Sequence, residues 1–184
     1  MAAGSISPEG WLSGARWLPS PHFDARPDGV GVDLLVIHNI SLPPGEFGGS
    51  AIIDLFLGRL DPAAHPYYER LRNLRVSSHF LIRRDGDVIQ LVGCASRAWH
   101  AGASEWRRRT RCNDFSVGVE LEGTDEVPFT SEQYAALVPV ARALLAAYPI
   151  VEIVGHSDIA PGRKTDPGPC FDWPRFREGL GRGP

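Results

Sequence analysis

The sequence predicts an α/β fold, a single domain in which helices pack on a β-sheet of mixed strand directions. Two short apolar runs, DLLVI at 33–37 and VEIVG at 151–155, are typical of buried strands. The segment 76–92 is typical of a β-hairpin, because Asp85-Gly86 lies between two strand-like runs. Helix signals are interleaved with these strands, and 184 residues suffice for one well-buried core.

The elements of the first half follow from turn residues and apolar runs. Residues 1–31 are rich in turn formers and are predicted to be a loop-rich segment packed on the domain. SLPPGEFGG at 41–49 must also be loop. AIIDLFLG at 51–58 predicts a short helix that ends at Gly58. Residues 61–73 are expected to be loop with room for one helical turn.

The second half carries clearer helix boundaries. TSEQ, beginning at Thr130, is a capping box that opens a helix predicted to run to about Tyr148. Pro139 lies inside that helix and predicts a kink or a break there. Asp172 is a good N-cap for a last short helix.

Composition and charge exclude several classes of function. The chain is 43% hydrophobic and 22% charged, with a net charge of -3, which argues against nucleic acid or an anionic membrane as a partner. The Arg-rich stretches RLRNLR (70–75) and WRRRTR (106–111) are typical of solvated faces. No apolar run approaches the roughly 20 residues of a membrane span. MAAGSISPEGWLSG at the N-terminus lacks the features of a secretory signal, which predicts a cytoplasmic protein.

The three cysteines also restrict the function. Cys94, Cys112 and Cys170 are odd in number, widely spaced and without a CxxC motif. This pattern favours a reduced compartment over a disulfide framework or a thiolate zinc ribbon. A Cys-dependent peptidase stays open as an alternative, since Cys94 lies six residues before His100.

Three residues have the pattern of a catalytic zinc site. His38 directly follows one apolar strand, His156 follows another, and Asp166 lies ten residues later in a Pro-rich loop. Two imidazoles and a carboxylate are a usual ligand set for catalytic Zn²⁺, with water in the fourth position. No HExxH motif supports this, so satisfied histidines at the sheet rim and an Asp in a turn are the alternative.

Two further residues fit such a site. SVGVELEG at 116–123 alternates, which places Glu120 and Glu122 on one strand face. Hydrolysis at zinc needs a carboxylate that takes a proton from water, but the alternation does not choose between these two. Lys164 lies two residues before Asp166 and is the only lysine, so it is a candidate for stabilising an oxyanion. Solvated carboxylates on an edge strand and an exposed loop lysine are the alternatives.

The longer motifs resemble a known family. In order along the chain they are LLVIHNISLPPGEFGG, SSHFLIRRDG, AWHAG, CNDFSVGVELEGTD and GHSDIAPGRKTDPGP. They resemble the AmpD-type 1,6-anhydro-N-acetylmuramyl-L-alanine amidases, part of the zinc amidase family that includes phage T7 lysozyme and the peptidoglycan recognition proteins. The resemblance runs from about Gly10 to about Phe176. It implies the fold of those proteins, in one zinc amidase domain over residues 1–184.

The resemblance also implies roles for individual residues. His38, His156 and Asp166 match the family's ligands for one Zn²⁺. Glu120, the first Glu of ELEG, matches its catalytic carboxylate, and Lys164 matches its transition-state lysine. Because recognition proteins that only bind have lost a ligand, the complete set favours an enzyme over a non-catalytic muropeptide-binding sensor.

The substrate implied by the resemblance is a muropeptide. The family cleaves the amide between the lactyl group of N-acetylmuramic acid and L-Ala. AmpD-type members act on anhydro-muropeptides in cytosolic cell-wall recycling. Their activity lowers the muropeptide signal that induces β-lactamase in some bacteria. We expect a monomer whose substrate contacts are Asn39, Arg75, His79, Trp99 and Arg111. WRRRTR is more basic than the family pattern, so contacts on the peptide side depart from it.

Overall fold

The structure is a computed structural model that describes residues 4–181, so residues 1–3 and 182–184 of the predicted domain lie outside the described part. Within it are ten strands: β1 (Arg16–Trp17), β2 (Phe23–Asp24), β3 (Leu34–Ile40), β4 (Phe80–Ile82), β5 (Val88–Gln90), β6 (Arg97–Ala98), β7 (Glu105–Trp106), β8 (Arg109–Thr110), β9 (Ser116–Glu122) and β10 (Glu152–Gly155). The same range holds four α-helices: α1 (Ala51–Phe56), α2 (Ser131–Ala147), α3 (His156–Ile159) and α4 (Trp173–Gly179).

A six-stranded sheet forms the middle layer, in the order β1-β5-β4-β9-β3-β10. Strands β4, β9, β3 and β10 are parallel, whereas β5 runs antiparallel to β4. The predicted mixed sheet is therefore confirmed. The apolar runs of β3 and β9 lie at its centre, where both faces are covered, which is why these strands are buried along nearly their whole length.

Helices cover both faces of this sheet. One face of β3 and β9, including Leu35 and Val119, packs against the apolar side of α2. On the opposite face, Leu34 and Val36 pack with Ile159 of α3. Helix α1 covers the neighbouring part of that second face, over β4 and β5. The chain thus forms three layers, and the carboxyl ends of β3, β9 and β10 meet at one edge.

Several predicted elements are confirmed. Helix α1 is followed by Gly58 in the left-handed region, with φ of +69°. Strands β4 and β5 form the predicted hairpin, and its turn places Gly86 at φ of +85°, a conformation that favours glycine. Residues 61–73 contain one 3₁₀ turn, Tyr68–Leu71. Helix α4 begins after Asp172, whose carboxylate accepts a hydrogen bond from Arg175 N.

Of the kink or break predicted at Pro139, the break does not occur. Helix α2 is continuous from Ser131 to Ala147, with Pro139 inside it. A proline removes one backbone donor, but the capping box at Thr130 is formed with Gln133, and the helix buries Leu137 and Leu144 against the sheet. The burial of this apolar face offsets the loss of one hydrogen bond.

The described part of the N-terminal segment contributes to the sheet. Strand β1 extends it by pairing with β5, and Leu12 N donates to the side chain of Gln90 at 2.7 Å. Strand β2 pairs with β6 in a small separate sheet. The sequence shows no signal for these two-residue strands. Among residues 4–181, we find no helix with the length and apolar character needed to cross a membrane.

Candidate active site

The candidate site lies where β3, β9 and β10 end. These parallel strands place their carboxyl ends at one edge of the sheet, a usual location for sites in α/β folds. His38 of β3 is directly opposite Glu120 of β9 in the register. His156 follows β10 immediately and opens helix α3, which the sequence analysis did not predict.

His38, His156 and Asp166 converge on one point. The Nδ1 atoms of His38 and His156 are 2.9 Å apart, and Asp166 Oδ2 lies 3.2 Å from the first and 3.0 Å from the second. The three residues are 1%, 3% and 9% exposed. Separations near 3 Å are those of neighbouring ligands around a small cation with bonds of about 2 Å.

The chemistry of these donors fits a metal ion. Two imidazole nitrogens and a carboxylate oxygen are the donors of catalytic zinc sites, and the described residues offer this one group of His, Cys, Asp and Glu side chains close enough together to bind a metal. Glu120 adds a second observation, because its Oε2 atom is buried and has no hydrogen-bond partner among the described residues. A buried carboxylate oxygen without a donor is costly unless a ligand or cation compensates it.

The irregular loop that carries Asp166 is tied back to the sheet. Ser157 N donates to Asp166 O at 2.9 Å, which holds the two ends of the loop together. Asn39 Nδ2 donates to Pro167 O at 3.1 Å and to Asp125 Oδ1 at 2.7 Å. These bonds explain how a segment with little regular structure presents a ligand at a defined position.

Glu120 and Glu122 share a strand face but differ in environment. Glu120 is 8% exposed, with Oε1 at 4.0 Å from His38 Nδ1. Glu122 is 1% exposed and accepts hydrogen bonds from Arg83 Nε at 3.0 Å and Gly48 N at 2.7 Å. The alternative of two solvated carboxylates on an edge strand is wrong, because β9 is central.

Burial sets the charge states in this region. Desolvation lowers the pKa of His38 to about 4. Burial alone would raise the pKa of Asp166, but the adjacent imidazoles of His156 and His38 hold it below its ordinary value. Desolvation, reinforced by the charge of Asp166, raises the pKa of Glu120 well above its ordinary value, and Lys164 opposes this shift. A neutral His38 beside an ionised Asp166 suits a metal cation.

A cleft of about 470 Å³ opens over these residues. Its lining includes three of the five predicted substrate contacts and both predicted catalytic residues: Asn39, Arg75, Trp99, Glu120 and Lys164. Arg75 and Lys164 are exposed, whereas Trp99 is half-buried and stacks on His22 with ring centroids 5.9 Å apart. The amide nitrogen of Asn39 is already engaged by Asp125 and Pro167, so Asn39 also positions the loop.

Two predicted substrate contacts lie elsewhere. His79 is fully buried, with Nδ1 accepting from Gly118 N at 3.0 Å and Nε2 at 3.1 Å from Ser96 O, so it does not face the cleft. Arg111 is absent from the cleft lining and pairs with Asp114 at 3.4 Å. The sequence around His79 does not reveal that other segments of the chain cover it. Arg111 lies in a turn with a left-handed backbone, at φ of +60°, which the sequence did not predict either.

One residue of the site was not predicted from the sequence. His100 lines the cleft, and its Nδ1 atom is 2.9 Å from Nε2 of His38. The AWHAG motif that contains it was part of the resemblance, but His100 itself was considered only as a partner for Cys94. Its position next to a metal ligand depends on contacts between distant parts of the chain.

The Cys-dependent alternative is not supported. Cys94 is fully buried in the apolar core, where burial raises the pKa of its thiol to about 12. The side chain of Gln90 donates to its sulfur at 3.8 Å. Burial also raises the pKa of Cys112. Neither thiol is suited to act as a thiolate nucleophile.

Comparison with known proteins gives consistent matches. Residues 28–169 match the family model of N-acetylmuramoyl-L-alanine amidases. The chain is 59% identical over 171 residues to the 1,6-anhydro-N-acetylmuramyl-L-alanine amidase AmpD of Escherichia coli. The aligned region covers 92% of this chain and 93% of that protein. It is 41% identical over 133 residues to the E. coli amidase AmiD, covering 62% of this chain and 48% of AmiD.

Solved structures agree with the fold described above. A crystal structure of an AmpD derivative superposes with a TM-score of 0.93 at 57% identity, covering 95% of this chain and 98% of that chain. AmiD from E. coli, solved with anhydro-N-acetylmuramic acid-L-Ala-D-gamma-Glu-L-Lys, superposes with a TM-score of 0.62 at 32% identity, covering 98% of this chain and 67% of AmiD. The central mixed sheet with its flanking helices is common to these proteins.

Proposed function

Because the chain belongs to the N-acetylmuramoyl-L-alanine amidase family and is therefore a hydrolase of amide bonds, we propose that it cleaves the bond between the lactyl group and L-Ala of 1,6-anhydro-muropeptides. The observation that carries this proposal is the convergence of two histidines and an aspartate beside Glu120, whose buried Oε2 atom has no hydrogen-bond partner in the described part of the chain. The names of the AmpD relatives support the anhydro substrate.

His38, His156 and Asp166 would hold one Zn²⁺. When bound, the ion supplies Lewis acidity, which makes water more acidic and polarises a carbonyl oxygen. The chain's own part is to keep His38 neutral and Asp166 ionised, and to bury all three ligands in a region of low dielectric.

Glu120 is the proposed general base. It takes a proton from the attacking water and passes it to the leaving nitrogen of L-Ala, so no covalent intermediate with the protein is needed. Burial raises its pKa, and a carboxylate with a raised pKa is a stronger base at neutral pH. Its Oε2 atom is available for this transfer, since no side chain or backbone group of the described residues donates to it.

Lys164 is the proposed electrostatic stabiliser. It lies on the wall of the same cleft as Glu120 and Asp166, and its ammonium group can approach the carbonyl oxygen on which negative charge develops. Its exposure leaves the side chain free to adjust to a bound substrate.

Arg75 and Trp99 are the proposed substrate contacts at the outer part of the cleft. A guanidinium pairs with carboxylates of a stem peptide in bidentate geometry, and an indole offers a flat face to a sugar ring. AmiD with its anhydro-N-acetylmuramyl tripeptide and AmpDh3 from Pseudomonas aeruginosa with an anhydromuramic pentapeptide support such a ligand. We further propose that the protein acts as a cytoplasmic monomer in cell-wall recycling and lowers the muropeptide signal for β-lactamase.

A hydrolysis assay resolved by mass tests the proposal. Anhydro-muramyl tripeptide is incubated with protein as purified, after chelation, and after zinc is restored. Release of free tripeptide that chelation stops and zinc restores is the expected result. Tight binding without cleavage by zinc-loaded protein would instead favour a muropeptide sensor, and Glu120→Gln serves as the inactive reference that still binds.

A further inference from the structure

We propose that His100 and Ser116 form a hydrogen-bond relay that fixes the tautomer and ring orientation of His38, which makes both of them positioning residues for the metal. This inference rests on the proposed metal site. The relay adds two residues to those already given a role, which are the three ligands and the catalytic pair Glu120 and Lys164. Its basis is the direction of each hydrogen bond along one short chain of groups.

The direction is set at the far end of the relay. Ser116 Oγ is 2.6 Å from Cys112 O, and a carbonyl only accepts, so the hydroxyl hydrogen points there. Towards His100 Nε2, at 3.1 Å, Ser116 Oγ therefore accepts. His100 must carry its hydrogen on Nε2, which leaves its Nδ1 atom as an acceptor.

The near end of the relay then determines the state of His38. His100 Nδ1 is 2.9 Å from His38 Nε2, so His38 donates from Nε2 and keeps a lone pair on Nδ1. That Nδ1 atom is the one that faces His156 and Asp166. A neutral histidine that donates through its outer nitrogen is the arrangement that orients metal ligands in many proteins.

The second ligand histidine, His156, has the same tautomer, but its outer nitrogen bonds a backbone carbonyl instead of a side chain. His156 Nε2 is 3.1 Å from Ala101 O, so a backbone carbonyl accepts its hydrogen and the Nδ1 lone pair also faces the site. Arg163 donates to the same carbonyl at 2.7 Å. His38 differs because its acceptor is a side chain, which substitution can remove.

The ring of His100 is built into its position from strand β9. Three alternate positions of that strand lie on one face and surround the site. Ser116 accepts a hydrogen bond from His100, Gly118 leaves space for the His100 ring, and Glu120 faces the ligands. A Cβ atom at Gly118 would lie 2.5 Å from His100 Cγ and Nδ1. Asn113 Oδ1 accepts from His100 N at 3.1 Å and so fixes the backbone.

Zinc affinity of the full-length protein, measured in competition with a chelator, tests the relay. His100→Leu removes the acceptor and is expected to weaken zinc binding by about 10- to 100-fold. His100→Asn places an amide oxygen near the position of Nδ1 and is expected to restore much of the affinity. Ser116→Ala should show a smaller loss. Ser78→Ala, which removes another buried hydroxyl, one that donates to Phe80 O, is the matched control and should not change affinity.

Long-range ¹H–¹⁵N correlation spectra of the zinc-free protein provide a second readout. They should show His38 and His100 as Nε2–H tautomers in the wild type, with a mixture at His100 in Ser116→Ala. An Nδ1–H tautomer at His100 would overturn the inference, as would wild-type zinc affinity in folded His100→Leu. If His100→Leu does not fold, Ser116→Ala and the spectra decide. Failure of the wild type itself to bind zinc would overturn the proposed function instead.

Discussion

The inner end of the cleft and its outer rim are built in different ways. At the inner end, His38, His156 and Asp166 are buried, and each has hydrogen-bond partners within 3.2 Å. At the rim, Arg75 is exposed and Trp99 is half-buried. Groups that perform chemistry must be held in place before the substrate arrives, whereas groups that bind a flexible peptide can adjust to it.

The difference predicts where substitutions act. Changes at the inner end should reduce the metal content or kcat, because they remove interactions needed in the transition state. Changes at the rim should mainly raise KM, since they remove contacts that ground state and transition state share. The following experiments test this division, from the largest expected effect to the smallest.

Asp166→Ala should abolish activity. It removes one of three ligands and leaves only two imidazoles, so we expect the protein to lose its zinc and to hydrolyse no faster than the wild type after chelation. Metal content by mass spectrometry and the hydrolysis assay measure this. Asp28→Ala, at an exposed position, is the control. One zinc per chain with full activity in Asp166→Ala would contradict the ligand assignment.

Glu120→Gln should reduce kcat by about 10²- to 10⁴-fold with the zinc content unchanged. Its folding stability should not fall, because the carboxylate that it removes is buried and its Oε2 atom has no partner.

Glu122→Gln is the matched variant for Glu120→Gln, two residues away on the same strand face. It breaks a buried ion pair with Arg83, so we expect the free energy of unfolding to fall by about 1–3 kcal/mol. In material that is folded, kcat should change little. Steady-state kinetics and urea unfolding of both variants are compared, and a reversed pattern would assign the general base to Glu122.

Lys164→Met should lower kcat by about 10²- to 10³-fold, the effect expected when one donor to a developing oxyanion is lost. Zinc binding should persist, because Lys164 is not a ligand. Lys164→Arg keeps the positive charge and should recover part of the rate. A change confined to KM in Lys164→Met would place this residue with the rim.

Trp99→Ala should have the smallest effect, a rise in KM by a few-fold to tenfold, as expected for the loss of one aromatic contact. The kcat value should stay near that of the wild type. Arg111→Ala is the control, because Arg111 is paired with Asp114 outside the cleft lining and should leave both constants unchanged. An equal rise in KM for both variants would extend the binding surface towards Arg111.

Much of the architecture was predictable from local patterns. The apolar runs of β3 and β10, the DG turn and the capping box at Thr130 each depend on residues close in sequence, so periodicity and turn chemistry suffice to predict them. Two of the candidate ligands could also be predicted, since His38 lies near the end of one buried strand and His156 directly follows another. Of the kink or break predicted at Pro139, the break does not occur, because burial of the helix outweighs the loss of one hydrogen bond.

The sequence by itself determined which elements form and which side chains stand at the ends of strands, because both depend on neighbours along the chain. Only the tertiary structure decided how those ends meet. It set His38 opposite Glu120 and paired Glu122 with Arg83, whereas Oε2 of Glu120 has no hydrogen-bond partner among residues 4–181. It also buried His79 and brought His100 to His38. These outcomes depend on strand register and on contacts between residues tens of positions apart, which no local pattern records.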